Sequence, residues 1–280
     1  MKKVPPRIHI LFARETDFAL ILRRGPSKSV CAIGWDRGTN TFQIGQWING
    51  RIYEEDCDLS PNGQYLIYKA FSIKWDGRRF GCTTAISRTP YLKPIGLWHS
   101  QEGTWIGGGL FVGNSWYWIQ HGRLGHDTIR TPPALNETHE SPFGEETIYG
   151  NIYFLRLQRE GWTHVERKSF EFCSIHVFDK PIDHRWLLRK FGISKTWVQQ
   201  GKGCWYEEHQ LLRKEATSSE FGYTKFDYPA WEWADTDHRG IYWAEKGKLF
   251  TAQLSKKGPE LIAELYDFNP MKFESVDAPY

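Results

Sequence analysis

Between Cys57 and Tyr68 the chain reads Cys-Asp-Leu-Ser-Pro-Asn-Gly-Gln-Tyr-Leu-Ile-Tyr, a stretch that leaves few ways to fold. Pro61 presets φ for a turn, and Asn62-Gly63 can take the left-handed conformations that a short hairpin needs. Gln64 to Tyr68 then places apolar side chains on both faces, the pattern of a strand covered on both sides. The stretch dictates strand, tight turn, strand.

The same grammar runs through the rest of the chain. Ile8–Phe12, Phe18–Arg23, Val30–Trp35 and Thr41–Trp47 read as strands, separated by Glu15-Thr16-Asp17, Gly25-Pro26-Ser27 and Asp36 to Asn40. Asn49-Gly50 carries a hairpin signal before Arg51-Ile52-Tyr53. Phe71–Trp75 and Thr83–Ser87 flank an Asp76-Gly77 turn. With two prolines, the stretch from Pro90 to Trp98 reads as a sheet-edge strand or one entering a new sheet. Gly107-Gly108-Gly109 lacks the Lys-Ser/Thr of a phosphate loop and reads as bare backbone entering a crowded place. Gly113-Asn114 turns the chain into Trp116–Gln120, and residues 122–147 read as a long surface insertion. Helix is scarce: Arg185–Phe191 and Trp205–Glu215 are the candidates, and the second reads equally as a strand pair. Phe273 and the final aromatic residue predict a C-terminal segment tied to the body.

Gly150 to Leu157 aligns with Gly247 to Leu254, each copy running from glycine through an apolar stretch to a turn closed by glycine. The separation is about twice the roughly 40–50 residues of a four-stranded propeller blade. The pattern Asp58-x-Ser60-Pro61-Asn62-Gly63-x-x-Leu66-Ile67-Tyr68 resembles the repeat unit of TolB-like and WD-type β-propellers, although no regular Gly-His…Trp-Asp signature is present. The resemblance implies an all-β chain, a single domain over residues 1–280 forming a small propeller of five irregular four-stranded blades. In such rings a terminal strand often joins the first blade, which would account for Ile8–Phe12. The chain also has the look of uncharacterised bacterial propellers, a likeness that supplies no activity.

Composition narrows the functional classes. Lys and Arg number 36 against 33 Asp and Glu, a net charge of +3, and no run concentrates the basic residues as sequence-independent nucleic-acid binding requires. The five Cys are scattered without a C-x-x-C pair, which points to free buried thiols in a reducing cytoplasm. The apolar run from Ile8 to Ala13 is interrupted by His9 and stops at Arg14-Glu15, too short for a signal peptide, and no stretch approaches the ~20 apolar residues of a membrane span. A cytoplasmic protein is expected. The 14 Trp and an aromatic share of 16% suit packed sheet faces.

Residues able to carry chemistry are dispersed. His121, His126 and Asp127 lie in one loop, and Glu137, His139 and Glu140 in the insertion, without the spacing of a metal motif, so neither metal nor cofactor is expected. Cys204 and His209 lack a residue to orient the imidazole as a base. Asp58, Asp235 and Asp237 at strand ends are candidate carboxylates, yet such residues more often cap hairpins. Trp116 with Trp118, and Trp231 with Trp233, each alternate on one strand face. Facing inward they are core; facing a mouth they form a platform for a protein segment or a sugar. The expectation is a non-enzymatic interaction scaffold, a monomer or part of a hetero-complex, with Trp116, Trp118, Trp231 and Trp233 as the partner-binding candidates. It would serve as an accessory subunit of a bacterial regulatory or defence complex. The alternative is a carbohydrate-binding or glycoside-hydrolysing propeller that uses Trp and Asp side chains.

Overall fold

A computed structural model describes residues 4–25, 29–72, 81–100, 102–103, 106–140, 152–199, 203–216, 221–225 and 231–280. The fold is all-β, and the strands among the described residues gather into five sheets. Five is also the number of sheets expected of the small propeller that the sequence resembles, although one of the five contains a parallel pair. The chain divides into two compact units, one of His9–Arg156 with Met271–Tyr280 and one of Met1–Ile8 with Leu157–Pro270.

In the His9–Arg156 unit, β1 (Arg7–Phe12), β2 (Phe18–Arg24), β3 (Ser29–Asp36) and β4 (Thr41–Asn49) pair in chain order. Next come β5 (Arg51–Leu59), β6 (Tyr65–Ser72), β7 (Gly81–Arg88) and β8 (Pro94–Ser100), then β9 (Gly109–Phe111), β10 (Trp116–Ile119), β11 (His126–Arg130) and β12 (Asn136–Glu137). β5 to β8 form a second meander that β11 extends at the β8 edge, while β9, β10 and β12 make a small third sheet. Leu20, Leu22, Val30, Ala32, Ile52 and Leu66 are wholly buried in one cluster between the first two sheets. Burying a Leu or Val side chain is worth about 1.5–3 kcal/mol, so this cluster is the unit's main cohesive force.

Local chemistry explains the turns. Gly63 takes φ +77°, and its amide donates to the Ser60 carbonyl at 2.8 Å. Asn62 Oδ1 accepts from the Gln64 amide at 3.0 Å, and Ser60 Oγ accepts from the Tyr65 amide at 2.9 Å. The expected β5–β6 hairpin forms. Asn49-Gly50, by contrast, closes no hairpin: β4 belongs to the first sheet and β5 to the second, so the pair carries the chain between sheets. The prolines before Trp98 do not mark an edge either. Pro94 opens β8, where a missing N–H costs little, and β8 lies between β7 and β11.

Residues 122–140 are not an unstructured insertion. β11 pairs with β8, and β12 pairs in parallel with β10 through Trp116↔Asn136 and Tyr117↔Glu137. Residues 141–147, the Asp76-Gly77 turn, Pro26-Ser27 and Gly150-Asn151 lie outside the described residues.

Helix α1 (Ile152–Arg159) overturns the proposed 150/247 repeat, because its counterpart Lys248–Leu254 is a strand. Ile152, Tyr153, Arg156 and Leu157 are buried in helical spacing, a pattern that a short apolar run cannot reveal in advance.

The Leu157–Pro270 unit holds β13 (Thr163–Phe170), β14 (Cys173–Pro181), β15 (Trp186–Gln199), β16 (Gly203–Ala216) and β17 (Phe221–Lys225) in one meander. β18 (Trp233–Asp237), β19 (Gly240–Glu245), β20 (Lys248–Leu254) and β21 (Pro259–Asp267) form a second. The two helix candidates are therefore long paired strands, with Leu187↔Leu212 and Leu188↔Leu211 in register.

The N-terminal strand β1 does belong to the first sheet, at its edge beside β2, and among the described residues no C-terminal strand joins that sheet, since residues 268–280 carry none. The tail is nevertheless tied down. Gln46 Nε2 donates to the Val276 carbonyl at 2.8 Å, Phe273 lies against Trp47, and Tyr280 OH donates to the Lys93 carbonyl at 2.9 Å. Among the described residues no helix is long and apolar enough to cross a membrane.

Candidate functional site

The β1–β2, β3–β4 and β5–β6 turns of the His9–Arg156 unit, together with Arg88 and Thr89 at the end of β7, border a groove of about 810 Å³. Asp17, Phe18, Asp36, Asn62, Tyr65 and Arg88 are among its lining residues. Its volume is in the range of ligand-binding clefts. Glycine makes part of the floor possible, since a Cβ at Gly63 would stand 2.6 Å from the Phe18 ring.

The walls are fastened by side-chain-to-backbone bonds. Asn114 Oδ1 accepts from the Asn62 amide and Asn114 Nδ2 donates to Glu15 Oε2, both at 2.8 Å. Thr16 Oγ1 donates to the Asn62 carbonyl at 3.2 Å. These bonds place the β9–β10 hairpin on the groove's border. Two large apolar side chains of that hairpin are open to solvent, Val112 at 43% and Trp116 at 49%.

One of the groove's carboxylates serves the fold. Asp36 Oδ1 accepts from the Gly38 and Thr39 amides at 2.8 and 3.2 Å, capping the β3–β4 turn. The carboxylates predicted from sequence are engaged as well, Asp237 by the Arg239 amide at 2.8 Å. Buried Asp58 accepts from the Phe111 amide at 2.7 Å. Asp235 meets Lys180 Nζ at 2.6 Å and caps the Thr236 amide.

Of the four predicted partner-binding tryptophans, three lie in the core. Trp118 packs with Leu110 and Ile152. Trp231 is wholly buried and stacks on Trp243, which stacks in turn on Phe250, and Trp233 is buried in the same unit. Only Trp116 of the four is open to solvent. Strand alternation identified which residues share a face and left open what covers it.

Two ionisable clusters remain, one that the sequence did not single out and one built from the histidine loops that it raised and set aside as metal ligands. The first is a break in the β5–β6 ladder, where register jumps from Tyr53↔Lys69 to Asp58↔Ile67 and Glu54-Glu55-Asp56 are looped out. Glu54 pairs with Arg24 at 3.0 Å and Asp56 with Lys69 at 2.8 Å. Burial first, then the charges of Glu54 and Asp56, push the Glu55 carboxyl up to about 7. Bare backbone is needed here, because a Cβ at Gly108 would collide with the Asp56 carbonyl.

The second cluster joins the two histidine loops. His121 Nε2 stands 2.9 Å from Glu137 Oε1, and one ligand atom each from His121, Glu137 and His139 fall within 4.8 Å of one another. His126 stacks on His121 with ring centroids 4.1 Å apart. Partial burial raises the Glu137 carboxyl, but the hydrogen bond from His121 and the nearby imidazoles outweigh it and hold the group below its ordinary value. Glu137 and His139 are two apart in the chain, but the sequence reads both as part of a loop insertion. His121 reaches them only through the parallel β10–β12 pairing, which no local pattern encodes.

No family model matches the chain, and no curated protein matches it. Among solved structures, the crystal structure of the GH43 protein BlXynB from Bacillus licheniformis aligns over 99% of this chain at 10% identity, with a TM-score of 0.28. The chain spans 60% of that protein's length. A likeness of this size assigns no activity.

Proposed function

We propose that the chain is a non-enzymatic binding module, docking a segment of another protein along the groove and the Val112–Trp116 hairpin. The reading extends the sequence resemblance to TolB-like and WD-type propellers, and with it a role as an accessory subunit of a bacterial regulatory or defence assembly. One observation carries it: an exposed tryptophan lies two residues from Asn114, whose side chain is hydrogen-bonded to the groove residue Asn62 and to Glu15. Tryptophans at the edge of a preformed cleft are frequent anchors of protein interfaces, and pinned turns bind without a large ordering cost. Asp36 is occupied in capping a turn, which favours binding over acid–base chemistry.

The test is affinity capture of the tagged full chain from its native host, repeated with Trp116→Ala, Arg88→Ala and Phe170→Ala. A near-stoichiometric companion is expected, bound about thirtyfold or more weakly by Trp116→Ala, the scale of an interface anchor. Phe170→Ala, in the other unit, should retain it. A companion lost only with Phe170→Ala, or no companion at all, removes the proposal.

A second reading has its own observation. The Phe18 and Tyr65 rings, set among Asp17, Asn62, Gln64 and Arg88, form the mix of apolar and polar groups that small-ligand sites use. If the groove takes a saccharide, a glycan array should give a hit that Tyr65→Ala abolishes and Trp116→Ala leaves intact.

A further inference from the structure

The His121, Glu137 and His139 cluster goes beyond a docking role and does not depend on it. We propose that these three side chains form a binding site for a divalent first-row transition cation, zinc in the first instance, with at least one coordination position left open. Two imidazoles and one carboxylate are a ligand set that zinc accepts, with bonds of about 2.0–2.1 Å. Around a tetrahedral ion of that size, ligand atoms stand about 3.3 Å apart. The His121 Nε2 to Glu137 Oε1 distance of 2.9 Å and the 4.8 Å limit for the three ligand atoms bracket that value, so small side-chain rotations are enough.

The frame behind the ligands is built. Glu137 belongs to β12, whose pairing with β10 continues through the Thr138 amide to the Tyr117 carbonyl at 2.8 Å. Just before His121, the Gln120 amide donates to the Gly108 carbonyl at 3.0 Å. The loop that follows is held by Glu102 Oε1, which accepts from the Leu124 amide at 2.6 Å. Tyr117 OH approaches Glu137 Oε2, the second carboxylate oxygen, at 3.5 Å, and the His126 ring lies flat on His121. Both contacts occupy the place of outer partners that orient first ligands. A simple surface ion pair would account for His121 and Glu137, at about 0–1 kcal/mol, but gives no reason for His139 to converge on them.

The experiment uses the full chain stripped with a chelator and dialysed. Zinc is titrated by calorimetry, and cobalt(II) is followed through its visible d–d absorption. One saturable site is expected, weakened at least tenfold by each of His121→Ala, Glu137→Gln and His139→Ala. Cobalt should give an absorption spectrum that His139→Ala changes. Because His139 is exposed, its replacement leaves the core untouched, and circular dichroism checks that each variant is folded. His164 and His176, whose rings approach at 3.3 Å in the other unit, supply the control. Absence of saturable binding, affinity unchanged by the three substitutions, or binding abolished by His164→Ala instead would overturn the proposal.

Discussion

Glu55 sits where a carboxyl group is least comfortable, half-buried in the looped-out segment of β5 between two other acids. Its native value of about 7, against an ordinary 4.5, means the folded chain holds a proton that the unfolded chain has released. Stability contributed through this group is therefore lost as pH rises from about 4.5 through 7, and the full penalty applies above that window. Glu55→Gln should be more stable than the parent at pH 8 by up to about 2–3 kcal/mol, and nearly equal to it at pH 4. Urea unfolding of both chains at the two pH values measures the difference; an equal difference at both would show that Glu55 is not strained. This segment was illegible in the sequence, where nothing local sets the three consecutive acids Glu54-Glu55-Asp56 apart. Only the ladder break and the neighbouring Arg24 and Lys69 reveal the enclosure. The tryptophans teach the same lesson: Trp116 and Trp231 are the same residue type in similar patterns, and only the packing of other strands separates exposed from buried.

At the scale of elements, strands were legible and their partners were not. β1 to β4 fall within a residue or two of where turn signals place them, because Gly, Asn and Asp mark each reversal by local chemistry. Whether a turn stays within a sheet or leaves it depends on long-range pairing, so Asn49-Gly50 misleads. Helix α1 was missed for a related reason: an eight-residue segment that opens on four consecutive apolar residues suits either period. Its role lies in Arg156, which is buried and donates to the Glu54 carbonyl at 3.0 Å and to the Cys57 carbonyl. These carbonyls stand at the two ends of the looped-out acids, where the β5–β6 ladder no longer binds them. Arg156→Met keeps most of the volume and removes the donors, leaving buried acceptors unmet. A loss of roughly 2–4 kcal/mol is expected by urea denaturation. A loss below about 0.5 kcal/mol would mean that the helix does not support β5.

At the scale of the whole molecule, nearly every strand pairs with its sequence neighbour, so the all-β fold is assembled from local hairpins. That makes cooperativity within a unit an open physical quantity, since each sheet could open alone or only with the other sheets of its unit. The cysteines report on it. Cys31 on β3 and Cys57 and Cys82 on β5 and β7 are buried free thiols, while Cys173 is partly exposed. Burial pushes the Cys31 thiol up to about 12 and the Cys82 thiol up to about 11, and raises Cys57 well above its ordinary value, so none offers thiolate to a reagent in the folded state. In a Cys204→Ser background, a thiol reagent at neutral pH should label Cys173 first and the other three only through opening of the fold. If the His9–Arg156 unit opens as one body, Cys31, Cys57 and Cys82 will be labelled at a common rate that rises together with denaturant. Mass spectrometry of timed samples reads the three sites separately. A Cys31 rate well above the shared rate of Cys57 and Cys82 would mean that the first sheet opens without the second, despite the Leu20, Val30, Ile52 and Leu66 side chains packed between them. The groove lies between turns of those two sheets. A common rate would therefore also show that its walls are held rigid by the same core.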